Sequence, residues 1–277
     1  MKKIQAVAAQ IPLVAWTTIA LIPFVFITLL AFRDQKDIFA YPLGFGGDFT
    51  LENFAVAWNG PAGGAGLGVY FTNTLIVAVA GLIVNLGAGL PAAYFSTLLP
   101  ERLRKIFLQL FLIGTIIPLI LLVVPYFQIF DMLQLVSNPV ALGVTYGVLS
   151  LPTTILVLHS FFVDFPAELT EAAAIDGLGR WASFWRIVVP LSIGPMVGVG
   201  LLALVFMWGE AQLGIVLLQA ADSQTVPVGL LGFRGMFFTT LGPIFAGLAL
   251  ASLPIIIVYL FLHRHITKGI ALGGVFR

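Results

Sequence analysis

An all-α membrane protein with six transmembrane helices and both termini in the cytoplasm is the fold class predicted by three features of this 277-residue chain. Hydrophobic residues make up 60% and charged ones only 9%, a balance that a water-facing surface does not accommodate. The charges that remain leave uncharged runs at 4–32, 53–100, 106–130, 132–163, 187–209 and 235–263, each as long as the roughly 20 helical residues that a bilayer core requires. The basic residues are also unevenly shared. With an inner N-terminus, ten lie inside (Lys2, Lys3, Arg102, Arg104, Lys105, Arg180, Arg186, Arg264, Lys268, Arg277) and three outside (Arg33, Lys36, Arg234), which is the positive-inside bias.

The first span is expected over Ile11–Phe32, kept as a helix because it is span-length and no small-residue cleavage site follows Lys2 and Lys3. An outer loop from Arg33 to Gly68 contains a short helix start near Glu52, with Thr50 as its cap. The Gly/Pro-rich stretch Asn59–Gly68 excludes a second crossing in the 53–100 run, so one span is expected from Val69 to Leu98. The remaining spans are expected at Ile106–Ile129, Val140–Phe162, Leu191–Trp208 and Leu241–His263. Pro91, Pro118, Pro125, Pro152, Pro195 and Pro254 fall inside spans and predict kinks. Gly143 with Gly147, and Gly194 with Gly198 and Gly200, predict close helix packing. The segment Gln212–Thr240 reads as an irregular outer loop with exposed Phe233, Phe237 and Phe238. The whole chain, 1–277, reads as one transmembrane domain with a cytoplasmic loop at 164–190 within it.

Catalytic signatures are absent. There is no cysteine, no GxxxxGK[ST] phosphate loop, no HExxH pair and no GxSxG elbow. None of the three histidines has a legible serine or acidic partner, and His159 reads as an interfacial residue. Asn73 and Asn85 read first as packing residues and second as ligand contacts. Glu210 reads first as an anchor beside Trp208 and second as a group facing a cavity. These four residues, Asn73, Asn85, Trp208 and Glu210, together with Tyr146, are the candidate substrate-path positions.

The stretch Pro166–Pro190 is the one long polar interruption. Asp164 is positioned to cap a helix that Glu168 and Glu171 stabilise at its positive end, Ala172–Ala174 extend it, and Gly177 supplies the positive φ that ends it. Leu169, Ala172, Ala173 and Asp176 fall at i, i+3, i+4 and i+7, a thin face suited to a groove in another protein. Trp181, Phe184, Trp185 and Ile187 are expected to root the second half, and Pro190 to break it before the next span.

The spacing of Glu171, Ala172, Ala173, Gly177, Ile187, Val189 and Pro190 resembles the EAA loop of bacterial ABC importer permeases, EAA-x3-G-x9-I-x-LP, with valine replacing leucine at 189. Phe71–Leu75 resembles the FxNSL opening of the second helix in the shorter permease of maltose-type carbohydrate importers. Glu168–Gly177 is similar to its ELxEAAxIDG, Gln224–Gly229 to its QTLPVG and Lys268–Val275 to its RGLTAGAVK ending. Departures occur at Trp208–Ala211, where the family often has Trp-Asn-Glu-Phe, and in the tail at Ala271, Leu272 and Gly274.

The resemblance implies a type I importer permease fold in the bacterial inner membrane, a non-enzymatic transport subunit, and ATP and Mg bound on partner ATPase chains rather than here. It implies a second permease in a heterodimer, two ATPase subunits and an external solute-binding protein docking near Gln219–Thr240, with no nucleic-acid partner. Glu168, Glu171, Ala172, Ala173, Asp176, Gly177, Ile187 and Pro190 are the implied ATPase-coupling positions. The competing readings are an ATP-independent channel or secondary carrier, against which the missing inverted repeat counts, and a membrane-embedded enzyme, which lacks paired catalytic groups.

Overall fold

A computed structural model describes residues 2–43, 45–60, 65–233 and 240–275, with side chains from 10 to 263 of that range. Its regular elements are all helical. They are α1 (Lys2–Ala31), α2 (Gln35–Ala40), α3 (Glu52–Asn59), α4 (Leu67–Thr97), α5 (Glu101–Ile116), α6 (Leu119–Met132), α7 (Pro139–Val163), α8 (Ala167–Ile175), α9 (Arg180–Ser183), a π-helical turn (Phe184–Val188), α10 (Val189–Leu191), α11 (Ile193–Gly209), α12 (Gly214–Leu217), a 3-10 turn (Ala221–Ser223), α13 (Val226–Gly232) and α14 (Leu241–Val275). Helices dominate because hydrocarbon offers a peptide group no partner, and a helix satisfies its own.

The chain packs as two compact units, residues 1–68 with 229–254 and residues 69–228 with 255–277. In the first, Asn53 donates through Nδ2 to the carbonyls of Ala31 (2.9 Å) and Arg33 (2.8 Å), tying α3 to the end of α1. Gln35 accepts from the Leu241 amide at 2.7 Å. α3 starts one residue later than a Thr50 cap requires. Leu51 takes the N-cap position, and the Thr50 hydroxyl accepts from the Glu52 amide at 3.1 Å.

The second unit is built on the crossing of α4 and α7. A Cβ at Gly143 would lie 2.6 Å from the Val77 carbonyl oxygen, and one at Gly147 2.5 Å from that of Gly81, so glycine alone permits this approach. Asn85 donates to the Gly147 carbonyl at 3.3 Å and accepts from the Thr154 hydroxyl at 2.9 Å across the same crossing. Two buried clusters flank it. One gathers Val77, Leu142, Tyr146, Met207, Leu213 and Leu217, and the other Leu90, Tyr94, Ile155, Leu158, Phe184 and Val188.

Several expectations are corrected. Among the described residues four helices are long and apolar enough to cross a bilayer, and the expected six spans result if each of two bent pairs counts as one. The third span is not a kinked helix but two helices, α5 and α6, meeting at 95°. The cause is Pro118, which lacks an N–H and holds Ile117 extended at φ −69°, ψ 117°. Pro91, Pro125, Pro152 and Pro254 lie inside continuous helices.

A second bend, 78°, separates α10 from α11. It falls at Ser192, two residues beyond Pro190. On the expected face of α11, Gly198 has open space where a Cβ would stand. A Cβ at the buried Gly200 would touch Leu86 of α4 at an ordinary 3.6 Å, so neither position requires glycine for a close contact within this chain. The segment after Gln212 is mostly short helices, and Phe233 is buried rather than exposed. Arg234, Phe237 and Phe238 lie outside the described residues.

Replacing Gly147 with valine should overpack the α4–α7 crossing and destabilise the protein by roughly 1–3 kcal/mol. Gly198→Ala should leave stability unchanged. Thermal unfolding of the detergent-solubilised protein distinguishes the two, and equal melting temperatures would refute the assignment of the crossing.

Candidate functional site

α8 is nine residues long and follows α7 after a three-residue turn. Asp164 does not cap it. That residue ends α7, its amide bonding to the Phe162 carbonyl, and Pro166 holds the N-cap position of α8 without a side-chain bond. Proline suits the place because the first helical amides have no intrahelical acceptor.

The C-terminal end is closed more firmly. Gly177 has φ +81°, the Leu178 amide bonds to the Ala173 carbonyl at 2.9 Å, and the Gly177 amide bonds to that of Ala174 at 3.1 Å. This is a Schellman closure, in which the left-handed residue turns the chain back over the last helical carbonyls. A Cβ at Gly177 would meet nothing within 4 Å. The requirement for glycine is therefore conformational, not steric.

The exposed positions of α8 differ in part from the expected stripe. Ala173 is buried against its own chain, while Glu168, Leu169, Glu171, Ala172, Ile175, Asp176 and Gly177 are exposed, Ile175 by 87%. Among the described residues no ion pair involves Glu168, Glu171 or Asp176. The loop thus offers three unpaired carboxylates beside apolar side chains that water does not favour.

The loop is seated chiefly by Phe184, with Trp181, partly exposed, laying its ring 4.6 Å from that of Phe95 on α4. Phe184 is fully buried and stacks on Tyr94 of α4, ring centres 5.2 Å apart at 29°. It also meets Phe95 at 5.6 Å, and Tyr94 in turn meets Phe162 of α7 edge-on at 5.6 Å. Val188 is buried beside it, whereas Trp181 and Trp185 are exposed and Ile187 is half-buried. Pro190 is exposed. Each such aromatic pair contributes about 0.5–1.5 kcal/mol beyond its buried area, so the seat is stiff relative to the short helix it carries.

The candidate path residues Asn73, Asn85, Tyr146 and Glu210 are buried and internally bonded, and Trp208 is half-buried. Asn73 donates to the carbonyls of Asp222 (2.7 Å) and Gln224 (3.0 Å), and Thr74 accepts from the Val226 amide at 2.8 Å. Trp208 lies against Phe71 with centroids 6.1 Å apart. Glu210 is held by its own chain. It is buried, it accepts the Tyr146 hydroxyl, and it receives the amides of Gln212 and Leu213, the latter at 3.1 Å. A buried carboxylate needs such donors, and here it starts the turn after α11.

His159 is also corrected. It is buried, with Nδ1 2.7 Å from the Ser96 hydroxyl oxygen, and that hydroxyl lies 2.7 Å from the Ala93 carbonyl. Ser96 and His159 are 63 residues apart in sequence, so no spacing rule exposes the pair. Among the described residues no cluster of metal-ligating side chains occurs.

The sequence matches the family model described as binding-protein-dependent transport system inner membrane component over residues 85–272. It is 31% identical to the probable ABC transporter permease protein YurM of Bacillus subtilis (strain 168), over 91% of this chain and 83% of that protein. It is 27% identical to the diacetylchitobiose uptake system permease protein NgcG of Streptomyces coelicolor, over 94% of this chain and 86% of that one. A chain from the crystal structure of a bacterial ABC transporter involved in the import of the acidic polysaccharide alginate superposes with a TM-score of 0.77 at 19% identity, covering 95% of this chain and 96% of its own. At that identity the likeness is one of fold.

Truncating Phe184 to alanine should cost about 3–5 kcal/mol and loosen the loop, while Trp185→Ala should cost far less because its ring is exposed. Limited proteolysis between Ala167 and Arg186 measures the difference. Equal protection of the two variants would contradict the seat.

Proposed function

This chain belongs to the family of binding-protein-dependent transport system inner membrane components, and on that premise we propose that it forms half of the translocation pathway of an ATP-driven carbohydrate importer. It is an integral inner-membrane permease subunit of an ABC importer, and its family has no catalytic site of its own. The finer reading concerns what drives it and what it carries.

The observation that supports the drive is α8 itself. A short helix with Glu171, Ala172 and Gly177 in EAA register stands exposed, its acids without ion-pair partners, on an aromatic seat shared with α4 and α7. Such a helix inserts in a groove of an ATPase subunit, with Glu171 making the polar contact and Ala172 allowing close approach. The Gly177 closure keeps it one rigid piece, and Phe184 passes its displacement to α4 and α7. ATP and Mg bind on the two ATPase chains. A second, similar permease completes the pathway, and an external solute-binding protein delivers the solute at the segment after Gln219. The carbohydrate class rests on relatives such as the diacetylchitobiose permease.

Charge reversal at Glu171 (Glu171→Lys) removes a charge-assisted hydrogen bond worth roughly 1.5–3 kcal/mol, about tenfold or more in association. Solute uptake and binding-protein-stimulated ATP hydrolysis should fall accordingly, with the amount of subunit in the membrane unchanged. Normal uptake and normal ATPase association would sink the coupling role.

At Gly177, alanine should impose about 1–2 kcal/mol of left-handed strain and asparagine less, so uptake should rank glycine, asparagine, alanine. Vesicles carrying the permeases without ATPase should show no uptake; uptake without ATP would favour the carrier reading.

A further inference from the structure

The break between α5 and α6 leaves a group of backbone atoms without partners. α5 ends at Ile116, Ile117 makes no backbone bond from its amide, and Pro118 has none to give. The carbonyls of Ile113, Gly114, Thr115 and Ile116 therefore lack the amides that a continuing helix would supply. The break lies twelve residues after Lys105 and thirteen before Asp131. At 1.5 Å per residue that is about 18 Å from the nearest charge on the inner side, deep in a core of roughly 30 Å. Unpaired backbone at such depth is tolerated only against protein or a water-filled cavity, since lipid offers it no hydrogen bond.

A cavity is present there. It has a volume of about 290 Å³ and is walled by α5, the break, α6, α7 and α11, with Gly114, Thr115, Ser150, Thr153, Thr154 and Phe206 on its surface. No charged residue lines it. The hydroxyls on the wall have one chemical bias. Thr115 donates to the Leu112 carbonyl (2.7 Å), Ser150 to that of Tyr146 (2.8 Å) and Thr154 to Asn85 Oδ1 (2.9 Å). The protons of these three are committed to the protein, which leaves their oxygens as acceptors, while the Thr153 hydroxyl on the same wall can donate or accept.

We propose that this cavity is a solute-contact site on this subunit for a neutral, hydroxyl-rich ligand. Such a ligand brings O–H donors to a wall on which three of the four hydroxyls can only accept, and Phe206 provides an apolar face for ring C–H groups. An anion supplies only acceptors and meets no cation here. The site is distinct from the buried residues Asn73, Asn85, Tyr146 and Glu210, whose polar groups are matched within the chain, and from Trp208. The inference rests on the importer reading and adds to it the part of this subunit that touches the solute.

The absence of cysteine makes a direct test available. Thr115→Cys and Thr153→Cys are introduced singly into the complete importer in membrane vesicles, and an impermeant thiol reagent is applied with labelling read on this subunit by mass. Both positions should react. Glycerol or diacetylchitobiose at about ten times its dissociation constant should slow the reaction about tenfold, because that fraction of sites is filled, while glucose 6-phosphate and sodium chloride leave it unchanged.

No reaction at either position means that lipid or protein covers the wall, and overturns the proposal. Labelling indifferent to both polyols, or slowed equally by the anion or by sodium, also overturns it. Ser150→Cys reports the same wall if either variant fails to assemble. Uptake that requires ATP and binding protein, measured with the unsubstituted importer in the same vesicles, separates the two levels. Its presence beside failed labelling sinks this site alone, and its absence sinks the importer reading.

Discussion

Inside a bilayer every backbone N–H and C=O must find a partner, and most of what this chain does follows from that constraint. It makes the long apolar runs helical and keeps prolines at 91, 152 and 254 inside unbroken helices. It also singles out Pro118. There the helix does not recover, the chain bends by 95°, and a set of carbonyls is left open beside a cavity. A break of this kind is expensive in lipid and is retained where it faces water or a ligand.

The same constraint explains the buried polar residues. Asn85 and Thr154 bond to each other across the α4–α7 crossing, and Asn73 holds the turn at Asp222–Gln224. Glu210 gathers three donors, one of them the Tyr146 hydroxyl. These groups are matched so fully that they serve as fasteners. Between helices that lipid separates as readily as it joins, such bonds and close glycine contacts set which faces meet.

The loop that carries α8 obeys different physics because its outer residues are exposed. α8 is too short to be stable alone, and it holds its shape through the closure at Gly177 and the seat at Phe184. A helix fixed at its base and exposed along its outer side moves as one piece with the helices beneath it. That is the mechanical requirement of the coupling role proposed for it.

The helical class, the positions of α1, α4, α7 and α14, and the glycine closure of the loop were legible in the sequence. They depend on local quantities: runs of apolar residues, a glycine where φ must be positive, a spacing within 20 residues. What the tertiary structure decided were the matters of partnership. Asp164 ends one helix rather than starting the next, Ala173 turns inward, and Phe184 with Trp181, but not Trp185, packs the loop on the rings of α4. Glu210 meets Tyr146 from 64 residues away, and His159 meets Ser96 from 63. No pattern along the chain encodes those meetings, because they exist only once α4, α7 and α11 have packed.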